Sequence, residues 1–570
     1  MAKKLWEYLP CPDPKTLSHL MEDVRLPEPL AKALFQRGIT CFEEAKTYFT
    51  PSFEMLHSPL DMMDMKKARD RVILAMEKKE KIMIYGDYDV DGTTSVSLVY
   101  NYLRVIHPEL ITYIPDRYKE GYGISVAGMD FAKEAQCGLI IALDCGIKAF
   151  ESLGHAKALG LDVIVCDHHL PGSTLPEAFA ILDPKRKDCQ YPYKELSGCG
   201  VGFKLMQALS MEGFGSFNTL MDQTDILATS IAADIVPLTG ENRSLATLGL
   251  EKIKQQASPG LRALMGLSPN KKTWKITDLL FGVAPQINAC GRIKSGNFAV
   301  ELLTEKSFVA AEKMAEGVHL LNSERKELDA AITEEALDNL KDDPEFKNLS
   351  TTVVWSEKWH KGVIGIVASR LIETYYRPTI VLTKNNGIYT GSARSVKGFD
   401  VHHALEQCAD LMLQFGGHKY AAGMSISEEN MDAFKEKFEF VVASSINKEQ
   451  KTEVLPICSD LDLHEIDNKF WKVLERMEPF GPQNMKPLFC FKGLKDNGKG
   501  RILGDAHIKL EVYQPQGSNI AVNAIGFKLA PEYSDVIRGK MFDCLASVEE
   551  NEWQGKKTLQ LQIRDIRFCD

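Results

Sequence analysis

Short apolar runs separated by polar turns and helical stretches organise the first half of the chain. Lys81–Tyr85, Leu110–Ile114, Leu139–Leu143, Val163–Cys166 and Ala180–Leu182 are such runs, and Thr93–Val105 and Ala149–Leu159 between them carry helical apolar spacing. This alternation predicts a parallel α/β sheet. The residues just beyond the runs are polar and reactive: GDYDVDG after the first, Asp144-Cys145-Gly146 after the third, Asp167-His168-His169 after the fourth. Acids and imidazoles therefore collect at C-terminal strand ends, where open α/β sheets bind their ligands.

The pattern divides the chain into five parts. Residues 1–65 read as short helical pieces broken by prolines, and 66–298 as the first α/β unit. Residues 299–345 are rich in Ala, Glu, Lys and Leu and nearly free of Gly and Pro, which predicts one long connecting helix. A second α/β unit spans 346–455 and carries the glycine-rich stretches GSARS (391–395) and FGGHKYAAG (415–423). Residues 456–570 alternate in short pieces between turns, as in a small OB-like β-barrel.

Composition narrows the class. With 44% hydrophobic and 26% charged residues, the chain is expected to be globular rather than disordered. No apolar run approaches the roughly 20 residues of a membrane span. The N-terminal residues lack the apolar segment of a secretion signal, and the 13 cysteines include no Cys-x-x-Cys pair. A reducing cytoplasm is the expected location. A net charge of −10 disfavours polyanion binding over the whole surface and leaves an anionic substrate to a metal site or a local basic channel.

The acidic positions supply the chemistry. Asp87, Asp89 and Asp91 alternate, so an extended turn points three carboxylates to one side, and three such charges repel unless a cation holds them. An isolated DxDxD is as often a solvated turn. Asp144, Asp234 in AADIVPL and the His168–His169 pair weigh against that reading here. Carboxylates with one or two imidazoles suit manganese or magnesium better than zinc. Two ions sharing a carboxylate are a device for in-line attack on phosphorus. His168 is expected as a ligand and His169 as a helper.

GDYDVDG, IPDRYKEGYGIS, LDCGI, CDHHLPG, SGCGVGFKL, AADIVPLTGENR and NACGRI, in that order, resemble the DHH phosphoesterase superfamily. GSARS, FGGHKYAAG and EPFGPQNMKPLF resemble its DHH-associated domain and the tail of its single-strand-specific 5′→3′ DNA exonucleases. The resemblance runs from about residue 65 to the C-terminus. It implies two α/β lobes, a DHH catalytic domain and a DHH-associated domain, joined by a long helix and followed by the barrel. It implies Asp89, Asp91, Asp144, His168 and Asp234 as metal ligands, Asp144 bridging, with His169 assisting at the phosphate; Asp144, Asp89 and His169 are the catalytic candidates. One departure is Tyr85, where many DHH phosphatases carry histidine, and Asp87 stands in as the substitute ligand. The resemblance also implies that Arg117, Arg292 and Arg394, with Ser392 and His418, hold the terminal phosphate and nearby backbone.

The expected activity is metal-dependent hydrolysis of single-stranded DNA from its 5′ end, in repair and recombination. The expected cofactor is Mn2+ or Mg2+, as two ions. The expected partners are single-stranded DNA, a single-strand-binding protein and a helicase, with the chain itself monomeric. Two rivals share the fold. One is a phosphodiesterase of short oligonucleotides or cyclic dinucleotides, which the barrel argues against. The other is a non-catalytic DNA-binding replication scaffold, which the retained acids and histidines argue against. Phe489, Phe491 and Tyr513 beside Lys492, Lys495, Lys499 and Arg501 offer a stacking platform, or simply barrel core.

Overall fold

The computed structural model describes residues 4–266, 273–293, 295–341, 344, 346–504, 506–517, 520–530, 534–553 and 555–569. The chain divides into two compact units, one of residues 50–327 with 479–485, the other of residues 1–49, 328–478 and 486–570.

The first unit is built on a five-stranded sheet in the spatial order Leu110–Tyr113, Lys81–Gly86, Cys137–Leu143, Asp162–Cys166, Ala180–Leu182. Every neighbouring pair is parallel. Side chains alternate across such a sheet, and here both faces are covered. Ile82, Ile84, Ile141 and Leu143 enter one core, while Met83, Tyr85, Ile140 and Ala142 enter another. Burial on both faces is why the strands read as continuous apolar runs rather than as alternating ones. The order reverses between Lys81–Gly86 and Cys137–Leu143. At such a point the connections leave to opposite sides and open a crevice at the C-terminal strand ends. The GDYDVDG turn and Asp144 lie at those two ends.

The connecting element is two helices rather than one. Asn297–Thr304 ends at Glu305, and a 34-residue helix, Phe308–Lys341, begins after Ser307. Glu305 accepts from the Ser307 N–H at 2.7 Å, and the Ser307 hydroxyl accepts from the Ala310 N–H. These local bonds compete with helix continuation. The apolar stripe of the long helix enters the first unit's core through Ala311, Ala315 and Val318, and the second unit's through Ile332, Ala336 and Leu340.

In the second unit a five-stranded mixed sheet runs Gln414–His418, Ala421–Ser427, Ile388–Arg394, Thr379–Asn385, Thr352–Ser356, antiparallel except for the last pair. The C-terminal strands form a seven-stranded sheet, and an extra pairing of Phe489–Asp496 with His507–Tyr513 closes it into a barrel. Among the described residues no helix is long and apolar enough to cross a membrane.

The N-terminal region matches its expectation in part. Its helices are short, Pro14–Glu22, Glu28–Phe35 and Phe42–Phe49, with a proline between the first two; Pro14 itself opens the first behind an Asp13 cap, because its fixed φ suits a first turn. Residues Leu5–Tyr8 form a strand pairing with Val454–Ile457, a long-range pairing that local pattern does not reveal. Of the two readings of the 489–513 aromatics, barrel core holds for Phe489 and Phe491, which are fully buried, while Lys492 pairs with Asp460 and Lys499 with Glu511. Phe491→Ala is therefore expected to destabilise the barrel by about 3–5 kcal/mol in urea unfolding. A platform residue would instead leave stability alone and weaken single-strand binding.

Candidate metal centre

Three turns converge at the switch point. The first follows Lys81–Gly86. Asp87 is buried, and its Oδ1 accepts from the Gly123 N–H at 3.4 Å. Asp89 caps the helix Val90–Leu103, accepting from the Gly92 N–H at 3.1 Å. Asp91, in that helix's first turn, reaches the N-terminus of a second helix, Gly198–Met211. There it accepts from the Gly198 N–H at 2.7 Å, the Cys199 N–H at 3.0 Å and the Ser230 hydroxyl at 2.6 Å. The two N–H groups belong to that helix's first turn, where donors have no partner within the helix. Gly198 permits this approach, since a Cβ there would lie 2.6 Å from the Asp144 Cβ.

Asp144 follows the neighbouring strand in left-handed backbone, φ 60°, tied by its N–H to the Cys166 carbonyl at 2.9 Å. His168 comes from the next strand end. Its Nε2 lies 3.2 Å from Asp144, 3.5 Å from Asp234 and 3.8 Å from Asp91. Asp234 arrives at the C-terminal cap of the helix Thr224–Ala233. Three overlapping groups result, each with donor atoms within 4.8 Å of one another: Asp87, Asp89 and Asp144; Asp91, His168 and Asp234; Asp144, His168 and His169. Asp144 belongs to two of them, lying between the turn acids and the histidines.

Electrostatics identify what this arrangement needs. Burial, then the neighbouring Asp89, pushes the Asp87 carboxyl well above its usual range. Burial, then Asp91 and Asp89, does the same to Asp144 and Asp234. Burial drives His168 down to about 4, so its imidazole is neutral and available as a ligand. Asp87 Oδ2, Asp144 Oδ1 and both His168 ring nitrogens are buried without a hydrogen-bond partner. Unsatisfied buried donors and acceptors are costly, and these four belong to the three overlapping groups. Oxygen donors with a single neutral imidazole fit hard divalent ions such as Mn2+ or Mg2+.

His169 differs from its neighbour. Its Nδ1 lies 2.7 Å from Asp167 Oδ1, and its Nε2 3.1 Å from the Tyr122 hydroxyl. Burial opposes its charge, but the Asp167 bond and the nearby Asp234 and Asp89 raise it to about 9. Asp167 also accepts from the backbone N–H groups of Ile147, His168 and His169, and so fixes the whole turn. The sequence marks Asp167 as a strand-end acid, though not as the anchor of His169. It does not single out Ser230 or Tyr122, and Ser230 carries no local signal.

Tyr85, the departure from the DHH pattern, does not face the acids. Its hydroxyl donates to the Gly123 carbonyl at 2.8 Å and accepts from the Ser125 N–H at 3.1 Å. Asp87 instead joins Asp89 and Asp144. Arg117 stacks over Tyr88 at 4.8 Å, and the Tyr118 hydroxyl donates to the Arg292 carbonyl at 2.5 Å. Both guanidiniums oppose the upward push that burial and Asp87 exert on the Tyr88 phenol, so both lie beside the acidic turn. Ser392, Arg394 and His418 lie in the second unit. Arg394 donates to the Ser392 hydroxyl at 2.8 Å, and the pairings Arg394–Ala421 and Ala421–His418 bring all three side chains to neighbouring rungs.

The His169–Asp167 pair sets a pH window. His169 is raised from 6.5 to about 9, so its contribution to stability is complete below about 6.5 and lost as pH climbs through about 9. Asp167 is lowered, by the His169 bond and charge against the opposing effect of burial, so its contribution is present at neutral pH and fades in acid. In chelator, His169→Gln is expected to lower the thermal midpoint most near pH 6 and to cost little above pH 9.5. A pH-independent difference would contradict the charged pair.

The geometry agrees with what comparison shows. Family models match the chain as the DHH family N-terminal domain over residues 81–233, the DHHA1 domain over 348–444 and the RecJ OB domain over 459–565. The single-stranded-DNA-specific exonuclease RecJ of Bacillus subtilis is 34% identical, across 100% of this chain and 71% of its own length. That of Escherichia coli is 31% identical, across 95% and 96%. Among solved structures, RecJ from Thermus thermophilus in complex with Mn2+ matches with a TM-score of 0.85 at 26% identity, covering 99% of this chain and 80% of that one. An exonuclease RecJ bound to manganese matches with a TM-score of 0.60 at 30% identity, covering 70% and 98%. Relatives more than 30% identical cover this chain from end to end or nearly so, and the chain belongs to the RecJ family of DHH proteins.

Proposed function

We propose that the chain is a single-stranded-DNA-specific exonuclease that hydrolyses phosphodiester bonds from the 5′ end with two Mn2+ or Mg2+ ions. The observation that carries this reading is the set of overlapping acid and histidine groups that Asp144 links, with buried donor atoms left unpartnered. Asp87 and Asp89 would hold one ion and Asp91, His168 and Asp234 the other, with Asp144 within reach of both groups. When bound, the ions supply a nucleophile active at neutral pH and neutralise charge on the phosphate. Asp167 holds the His169 ring in place, and the imidazolium offers its second N–H to a phosphate oxygen. Arg117 and Arg292 hold the backbone beside the acidic turn. The exonuclease names of the relatives support the substrate class, and the intact donor set weighs against a non-catalytic scaffold.

Polarity follows from an end-recognition argument. A terminal phosphate carries more negative charge than an internal diester, so clustered guanidinium and hydroxyl groups prefer it. Arg394, with Ser392 and His418, is the proposed end-binding group. The role proposed for the chain is cytoplasmic, in DNA repair and recombination, as a monomer working with a single-strand-binding protein and a helicase.

End-labelled single- and double-stranded DNA and RNA, digested with manganese, magnesium or chelator, test this reading. Mononucleotide release from 5′-phosphorylated single strands, faster than from 5′-hydroxyl strands, is the expected result, with Arg394→Ala erasing much of that difference. Asp144→Ala is expected to lose nearly all turnover while still binding single strands. Equal rates from both ends, or on blunt duplex, would contradict the directional reading, and wild-type turnover by Asp144→Ala would contradict the metal assignment.

A further inference from the structure

Three large apolar side chains beside residues of the acidic cluster lie open to solvent. Tyr122 is 57% exposed, Leu170 66% and Ile235 59%. Each is tied to the candidate centre by a short link. The Tyr122 hydroxyl lies 3.1 Å from His169 Nε2, Leu170 follows His169, and Ile235 follows Asp234. The two histidines and Asp234 are themselves neighbours, with His168 3.5 Å from Asp234.

Two of the three are held there by unusual backbone. Tyr122 stands between Gly121 and Gly123, at φ 87° and 85°, a conformation that glycine reaches without strain. Its ring sits nearly perpendicular to those of His169 and Tyr88, at 81° and 82°. Ile235 has φ 58°. For a β-branched residue that is a true outlier, and such strain persists only where the surroundings over-determine it. Here they do. The loop is pinned by the Leu238 N–H to Pro482 at 2.8 Å and by the Asn242 side chain to the Pro237 carbonyl at 3.1 Å. Glycine or asparagine would occupy this position at lower cost, and burial does not explain the isoleucine.

We propose that Tyr122 and Ile235, with Leu170, form an apolar rim that holds the unpaired base of the nucleotide whose phosphate lies at the metal centre. The proposal rests on the single-strand exonuclease reading and deepens it. A nucleobase presents apolar π-faces whatever its identity, so an aromatic face and an aliphatic side chain grip every base alike. A paired base is stacked within the duplex and must be unstacked before such a rim can take it. The rim would therefore select an unpaired terminal base without reading its sequence.

The probe is a 5′-phosphorylated oligothymidine carrying 2-aminopurine as its first base, followed by fluorescence in chelator so that no cleavage intervenes. Binding to the wild-type chain is expected to quench the 2-aminopurine. Tyr122→Phe should retain the quenching, whereas Tyr122→Ala should lose it and weaken binding about tenfold. Ile235→Gly separates a functional from a structural role, because it relieves the strained φ. It is expected to raise the thermal midpoint while weakening binding about fivefold. A strand abasic at its first position should bind both variants as it binds the wild type. Undiminished quenching in Tyr122→Ala, or an Ile235→Gly chain that is less stable and binds normally, would overturn the rim. Single-strand digestion by the wild type without quenching would overturn the rim and leave the exonuclease reading standing. Neither binding nor digestion of single strands would remove both.

Discussion

Carboxylates crowded into a buried recess repel one another, and the rest of the catalytic unit is arranged around that repulsion. Asp87, Asp89, Asp91, Asp144 and Asp234 come from three chain segments to one point, where burial and mutual charge push three of them well above the usual carboxylate range. Such a group is stable with its acids charged only when cations join it. The scaffold commits to that outcome in advance. Asp91 is held in place by two backbone N–H groups and a serine hydroxyl, Asp144 is locked in left-handed backbone, and His168 is kept neutral. A parallel sheet with a reversal in strand order is well suited to this. It brings strand ends from distant sequence together while its rigid core fixes their spacing.

Much of this was legible in the sequence, for reasons specific to the elements. Strands buried on both faces leave continuous apolar runs, so the first sheet could be read, and the acids at its strand ends stood out because each followed such a run. The DxDxD turn and the histidine pair were informative for the same reason. Other features left no local trace. Ser230 acts by orienting Asp91, which lies 139 residues away in sequence. The strand Leu5–Tyr8 pairs with a segment more than four hundred residues away. The break before Phe308 depends on side-chain bonds from Glu305 and Ser307 that compete with an otherwise strong helical pattern. For Phe489 and Phe491 the sequence leaves platform and core both open, and both rings are buried while Lys492 is exposed.

The division of labour between the two units follows from their chemistry. The first supplies acids, neutral imidazole and an apolar rim. The second carries Ser392, Arg394 and His418 on two strands that flank a common antiparallel neighbour and closes with a barrel whose core includes Phe489, Phe491 and Phe542. A net charge of −10 is compatible with a DNA substrate only because positive charge is supplied locally, by arginines and by bound ions.

The central claim is that Asp144 joins two cation sites into one centre. Manganese titration of the wild-type chain followed by electron paramagnetic resonance addresses it without relying on turnover. Two ions per chain, giving the multiline spectrum of an exchange-coupled pair that collapses in Asp144→Asn, is the result this account predicts. A single bound ion, or two ions whose spectra remain uncoupled in the wild type, would contradict it.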